Sequence, residues 1–167
     1  MPVTAVLAAP QLFVSVADLR FSNHPQAILS TVALGSCLGV TCYDPIAKIG
    51  ALLHAMLPYS HKYQDLAPND ARCLDTGIPA VLEGVLRAGA NRRMLEFKVF
   101  GGAQILAANE YFSIGRQNVD AMKALVAEYG LNVRVWDVGG GLNRSIKLHL
   151  ATGRVHLRMP NRMEVAV

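Results

Sequence analysis

Ala27-Ile-Leu-Ser-Thr-Val-Ala-Leu-Gly-Ser-Cys-Leu-Gly-Val-Thr-Cys-Tyr43 places two β-rich runs on either side of a Gly35-Ser36 connection. Residues 27–33 and 38–43 are mostly aliphatic and β-branched, side chains that suit a pleated, half-buried backbone. Asp44-Pro45 then turns the chain, and Ile49–Leu57 reads as a third strand closed by Pro58. Three short strands in immediate succession predict an antiparallel meander.

Working outward, a helix is expected from about Asp70 to Ala88. Leu74, Ile78, Val81, Leu82, Val85 and Leu86 recur at helical spacing. Asn69 or Asp70 can cap its start, and Gly89 is placed to end it. Pro79 falls inside, so the regular helix begins later or kinks there. A strand at Met94–Phe100 runs into Gly101-Gly102, with a short helix expected near Ala103–Ala108. A second long helix spans about Arg116–Tyr129, with Val119, Met122, Leu125, Val126 and Tyr129 on one face and Gly130 after it. Strands at Asn132–Val138, Arg144–Leu150 and Arg154–Met159 follow, the last two joined by a Thr152-Gly153 hairpin turn. Strands outnumber helices, and two amphipathic helices are available to cover one sheet face. The expectation is a layered α+β domain.

The chain has 167 residues, 52% apolar and 17% charged, enough for one domain with a real core and no need of a disulfide or metal staple. We read residues 1–167 as a single domain. The apolar run Ala51–Leu57 is broken by His54 and stopped by Pro58, far short of the roughly 20 residues a spanning helix requires. No Lys or Arg precedes the mildly apolar Met1–Val16, so a secretory leader is not expected and the protein is read as cytoplasmic. Cys37, Cys42 and Cys73 lack C-x-x-C spacing and read as reduced thiols. His54, His61 and Cys73 do not match a zinc pattern, so neither metal nor cofactor is expected. The Gly101-Gly102 and Gly139–Gly141 runs lack a P-loop ending and a dinucleotide fingerprint, and read as tight turns. Net charge is +4, with Arg134, Arg144, Lys147, Arg154, Arg158 and Arg162 late in the chain. No nucleic-acid-reading element accompanies them, which leaves a solvated basic face with a mild preference for an acidic protein partner.

Cys37 stands where a turn hands over to a strand, so its thiol can be exposed beside backbone N–H groups. Nucleophilic attack on a carbonyl needs both, since the oxyanion that forms requires donors already in place. Gly35, Ser36 and the N–H of Cys37 itself are the candidate oxyanion and substrate-binding elements. Free cysteines are also often small buried hydrophobes, which is the reading preferred for Cys42 and Cys73. His54 lies on a strand that can pair with the one after Cys37, which would bring imidazole and thiol together. His61 is the fallback base, whereas His24, His149 and His156 read as surface or edge positions. Thr31 and Asp44 are the two candidates for orienting the imidazole.

Thr31…Leu34-Gly-Ser-Cys37, Tyr43-Asp-Pro45, Ile49-Gly50 and His54-Ala-Met-Leu-Pro58 together resemble the chemoreceptor glutamine deamidases, the CheD family. The likeness continues through Val99-Phe-Gly-Gly-Ala103, Ile114-Gly-Arg-Gln-Asn118, Asp137-Val-Gly-Gly140 and Asn143-Arg144 to Thr152-Gly153. It covers about residues 25–160, leaving 1–24 as an N-terminal extension. Gln117 and Leu142 vary the family's loop pattern, and nothing beyond Arg162 carries a motif.

The resemblance implies a layered α/β/β sandwich of mostly antiparallel sheets with two main helices covering one face. It also implies that Cys37, His54 and Thr31 are catalytic and convert chemoreceptor glutamines to glutamates through a thioester. Implied partners are chemoreceptor cytoplasmic domains and a CheC-type phosphatase, with the protein itself a monomer. Two rivals are a non-catalytic module that regulates such a phosphatase and a thiol protease or transglutaminase using the same pair.

Overall fold

The computed structural model describes residues 8–104 and 113–167. In chain order the first strands are β1 (Gln11–Phe13), β2 (Asp18–Ser22), β3 (Ile28–Leu34), β4 (Leu38–Asp44) and β5 (Ile49–Ala55). Helix α1 (Leu74–Arg87), β6 (Glu96–Gly101) and helix α2 (Ile114–Tyr129) follow. The chain ends with β7 (Val133–Val138), β8 (Arg144–His149), β9 (Val155–Arg158) and β10 (Val165–Ala166).

Every residue of β4 and β5 is buried, because these strands are covered on both faces. They form the middle of one sheet, ordered β2-β5-β4-β6-β7. One face packs Val40, Cys42, Ala51 and Leu53 against Leu74, Ile78 and Val81 of α1 and Met122 of α2. The other face lays Leu52 and Phe100 on Leu29, Ile146, Leu148 and Leu157 of a second sheet, ordered β1-β3-β8-β9-β10. Each fully buried leucine contributes about 1.5–3 kcal/mol relative to exposure, so these two apolar layers dominate the stability. The result is helices, sheet and sheet in three layers. Among the described residues only β1–β3 and β6–β7 pair in parallel; the other strand pairs are antiparallel. The expected α/β/β sandwich is the observed one.

The expected three-strand meander is not. β4 and β5 pair as an antiparallel hairpin, but β3 crosses to the outer sheet and pairs with β1 and β8. The reason lies in its pattern. β3 buries Leu29, Thr31 and Leu34 and exposes Val32 and Ala33, as a one-faced strand does, whereas β4 and β5 are buried throughout. Its alternation is broken by a bulge between Thr31 and Leu34, where Ala33 adopts a φ of 55°. Gly35–Cys37 is thus a passage between sheets.

α1 starts at Leu74, later than its periodicity suggests. Neither Asn69 nor Asp70 caps it: the Asn69 Oδ1 accepts from Ala71 N, and the cap residue is Cys73 without a side-chain bond. The chain is still tied to the end of β5 there. Leu57 bridges Cys73, and the first helical amides, Leu74 and Asp75, donate to the carbonyls of Leu57 and Pro58. Pro79 is accommodated inside the helix. α2 begins at a Ser113 cap and ends at Gly130 in the left-handed conformation. The short helix expected near 103–108 falls, from residue 105 on, outside the described residues. Short β1, β2 and β10 had no sequence signal.

At the far end of the β4–β5 hairpin, Asp44 accepts hydrogen bonds from the backbone N–H groups of Ile46, Ala47 and Asn91. Burial alone would raise its pKa, but the amides of Ala47, Asn91 and Ile46 outweigh it and hold the carboxyl below its usual value. A depressed pKa stabilises the fold above the unfolded value, near 3.9, and that contribution is lost as pH falls. Asp44→Asn should therefore cost about 1–3 kcal/mol at neutral pH. In urea unfolding, the gap to the parent protein should close as pH drops below about 4.

Candidate active site

On β5, Leu52 and His54 share the face turned toward the outer sheet, and on β3 Leu29 and Thr31 face them. Both polar side chains are about 1% exposed. Thr31 Oγ1 lies 2.8 Å from His54 Nδ1 and 2.7 Å from the carbonyl oxygen of Val14. A carbonyl can only accept, so the single hydroxyl proton of Thr31 goes to Val14. Thr31 must then accept from His54, which places the proton of the neutral ring on Nδ1. Nε2 is left with a free lone pair, buried and without a hydrogen-bond partner among the described residues. Burial pushes the imidazole pKa down and keeps the ring neutral. The ring is thereby held in one orientation with Nε2 free to accept a proton. Asp44, the other candidate orienter, belongs instead to the distant hairpin turn.

Cys37 enters β4 immediately before Leu38, which pairs with Ala55, while Gly39 pairs with His54. Thiol and imidazole therefore belong to neighbouring strands at the same end of the hairpin. The thiol does not hydrogen bond to Nε2 in this state. Cys37 is half-buried, and burial raises its pKa against the opposing pull of its own backbone N–H. Burial thus favours the neutral form of both the thiol and the imidazole.

The backbone around the thiol is braced from behind. The carbonyls of Gly35, Ser36 and Cys37 accept in turn from Ala103 N, the Asn118 side-chain amide and Gly102 N. In a planar trans peptide the N–H opposes the C=O, so the Ser36 and Cys37 amides are turned away from these partners. The Gly35-Ser36 turn is thereby held with its amides facing away from α2 and the Gly102-Ala103 segment. The approach is close enough to exclude side chains: a Cβ on Gly101, at φ 108°, would overlap the Cys37 carbonyl. One on Gly115 would stand 2.5 Å from the Ala103 oxygen. Arg144, buried on β8, joins Asp137 at 2.7 Å and the carbonyls of Gly139 and Leu142, fixing the loop after β7 beside Gly101. The glycine runs are turns of this scaffold.

Asn118 and Arg144 were not identified by role from sequence, although both sit in motifs. A wholly buried asparagine among Gly115, Val119 and Met122 on the apolar face of α2 was the available signal. Elsewhere, Cys42 and Cys73 are buried structural thiols. His61 lies in an exposed 3₁₀ turn beside Tyr59, outside the site. His149 and His156 stack on each other at 4.4 Å on strands of the outer sheet. Among the described residues, no group of three His, Cys, Asp or Glu side chains could hold a metal ion. No described helix is long and apolar enough to cross a membrane.

The family model described as CheD chemotactic sensory transduction matches residues 56–159. A probable chemoreceptor glutamine deamidase CheD of Caldanaerobacter subterraneus is 40% identical over 86% of this chain and 90% of its own. The chain belongs to the CheD family. A probable chemoreceptor glutamine deamidase CheD of Pyrococcus abyssi is 41% identical over 80% of this chain and 82% of its own. Another, from Solibacter usitatus, is 39% identical over 89% and 88%. The family model begins beyond Cys37 and His54, but the matches to these CheD relatives cover most of the chain.

Two consequences of the Thr31 bridge are measurable. Nitrogen NMR should find the neutral Nδ1–H tautomer at His54, still unprotonated as pH falls through about 6.5, the ordinary histidine value. Because the folded pKa is depressed, this contribution to stability is present above that pH and lost below it. Thr31→Val strands the Nδ1 proton and the Val14 carbonyl and should cost about 1–3 kcal/mol, whereas Thr31→Ser should retain most of the stability.

Proposed function

We propose that this CheD protein is a cysteine-dependent amidohydrolase that converts glutamine side chains of chemoreceptor cytoplasmic domains to glutamate. The observation that carries the reading is the free, correctly tautomerised Nε2 of His54 on the strand beside Cys37. The names of the CheD relatives supply the substrate class.

Because both groups rest neutral, His54 must take the thiol proton as substrate binds. Sγ bonds to the glutamine Cδ while the carbonyl π pair moves to oxygen, where the Ser36 and Cys37 amides receive it. As the oxyanion collapses, the C–N bond breaks and the imidazolium gives its proton to nitrogen, releasing ammonia. A water molecule then loses a proton to Nε2 and adds to the γ-glutamyl thioester. The C–S bond breaks, the thiol regains its proton, and glutamate remains. Thr31 holds the ring throughout. Such a reaction places the protein in the cytoplasm with its receptors and needs no cofactor.

Purified receptor cytoplasmic domains incubated with the protein should gain about one dalton at particular glutamines by peptide mass spectrometry, and Cys37→Ala should abolish this gain. His54→Asn should lower kcat by at least about 10²–10⁴, the usual worth of general acid–base catalysis. Backbone cleavage, or retention of an added amine, would instead identify a protease or a transglutaminase. Binding without any mass change would identify a non-catalytic module.

A neutral resting site has its own signature. Alkylation of Cys37 by iodoacetamide in the free protein should climb with pH to beyond about 8.5, the ordinary thiol value. A plateau already reached at neutral pH would mean a preformed ion pair.

A further inference from the structure

We infer that Asn118 is a positioning residue for the deamidation, a clamp that fixes the nucleophile turn against the strand carrying the base. The Nδ2 of Asn118 donates at 2.9 Å to the carbonyl of Ser36 and at 2.9 Å to that of Met56. The first precedes Cys37 by one residue, and the second follows His54 by two. Both amide hydrogens are consumed, one on each side of the site. Asn118 is wholly buried, so neither bond competes with water.

The two bonds do different work. Holding the Ser36 oxygen toward α2 sets the plane of the Ser36–Cys37 peptide and aims the Cys37 N–H the opposite way, to the side where an oxyanion would form. Holding the Met56 oxygen fixes the exit of β5, and with it the height of His54 relative to that turn. The helix is itself seated by close contact, because Gly115 lies against Ala103, whose N–H binds Gly35. One side chain therefore sets the spacing between two reacting groups that make no direct bond at rest.

The Oδ1 of Asn118 has no partner among the described residues, although it is buried. An apolar residue at this helix position would avoid that unsatisfied oxygen. The asparagine is accounted for by what its nitrogen holds.

This inference rests on the deamidase reading, and two measurements on the full-length protein separate them. In Asn118→Ala, kcat for receptor glutamines should fall about 100-fold with KM unchanged, the scale expected of a misplaced reacting group. At the same time Cys37, released toward solvent, should react faster with iodoacetamide, its pH midpoint moving down toward the ordinary thiol value. Cys42 and Cys73 should stay protected, as mapped by peptide mass spectrometry. Asn118→Leu, close in size but uncharged and without the donors, should show the same opposed changes. The clamp is refuted if either folded variant keeps the parent's kcat and Cys37 profile. It is equally refuted if all three cysteines open together in both variants, because Asn118 then only supports the fold. The alkylation readout needs no glutamine substrate, so a parent protein without deamidase activity would sink the functional reading alone.

Discussion

A threonine hydroxyl has one proton to give, and here the carbonyl of Val14 takes it. Everything asked of His54 follows from that transfer. With its proton committed, Thr31 can only accept, so it holds Nδ1–H and leaves Nε2 bare. The three groups come from β3, from β5 and from the segment after β1. The bridge therefore also crosses between the two sheets, tying the outer layer to the inner one where the apolar packing is interrupted. Residues 11–22 are part of this frame: β1 pairs with β3, β2 pairs with β5, and Ala17 N donates to the His54 carbonyl.

The sandwich gives the imidazole a dry setting that a single sheet could not. β5 has an apolar layer on each face, so a polar ring placed on it is desolvated whichever way it points. Desolvation favours the neutral forms of both imidazole and thiol. A neutral thiol reacts little with electrophiles from solvent. The passage of the chain from the outer sheet to the inner one at Gly35–Cys37 also serves the site. A tight hairpin there would have committed the Ser36 and Cys37 amides to ladder bonds.

What was legible in the sequence follows from the range of the interactions. The β4–β5 hairpin and the two helices rest on local periodicity and turn chemistry, and the pairing that makes Cys37 and His54 neighbours could be read from Asp44-Pro45 alone. The departure of β3 could not be, since a bulge at Val32–Ala33 hides its one-faced alternation. Strands as short as β1 and β10 carry too few residues for a period to show. Thr31 was one of two orienting candidates on residue chemistry, and the family likeness singled it out. The geometry of its hydroxyl depends on a carbonyl, which no sequence pattern marks. Asn118 is the extreme case, for its partners are backbone oxygens 82 and 62 positions away.

The use of a hydroxyl instead of a carboxylate as the orienting group is itself a choice with consequences. A carboxylate beside Nδ1 stabilises imidazolium and raises the histidine pKa, which suits a site that stores a thiolate. Thr31 orients the ring without offering a negative charge, so burial alone decides the pKa, and it decides for the neutral base. Of the two candidates, Asp44 would have produced the first kind of site, but its carboxyl is engaged by three amides at the other end of the hairpin. A neutral imidazole and a neutral thiol have no charge between them to fix their distance, so something else must. In this protein that burden falls on backbone bracing: the pairing of β4 with β5, the amides of Gly102 and Ala103, and the Asn118 side chain that reaches from α2 to the turn before β4 and the residue after β5.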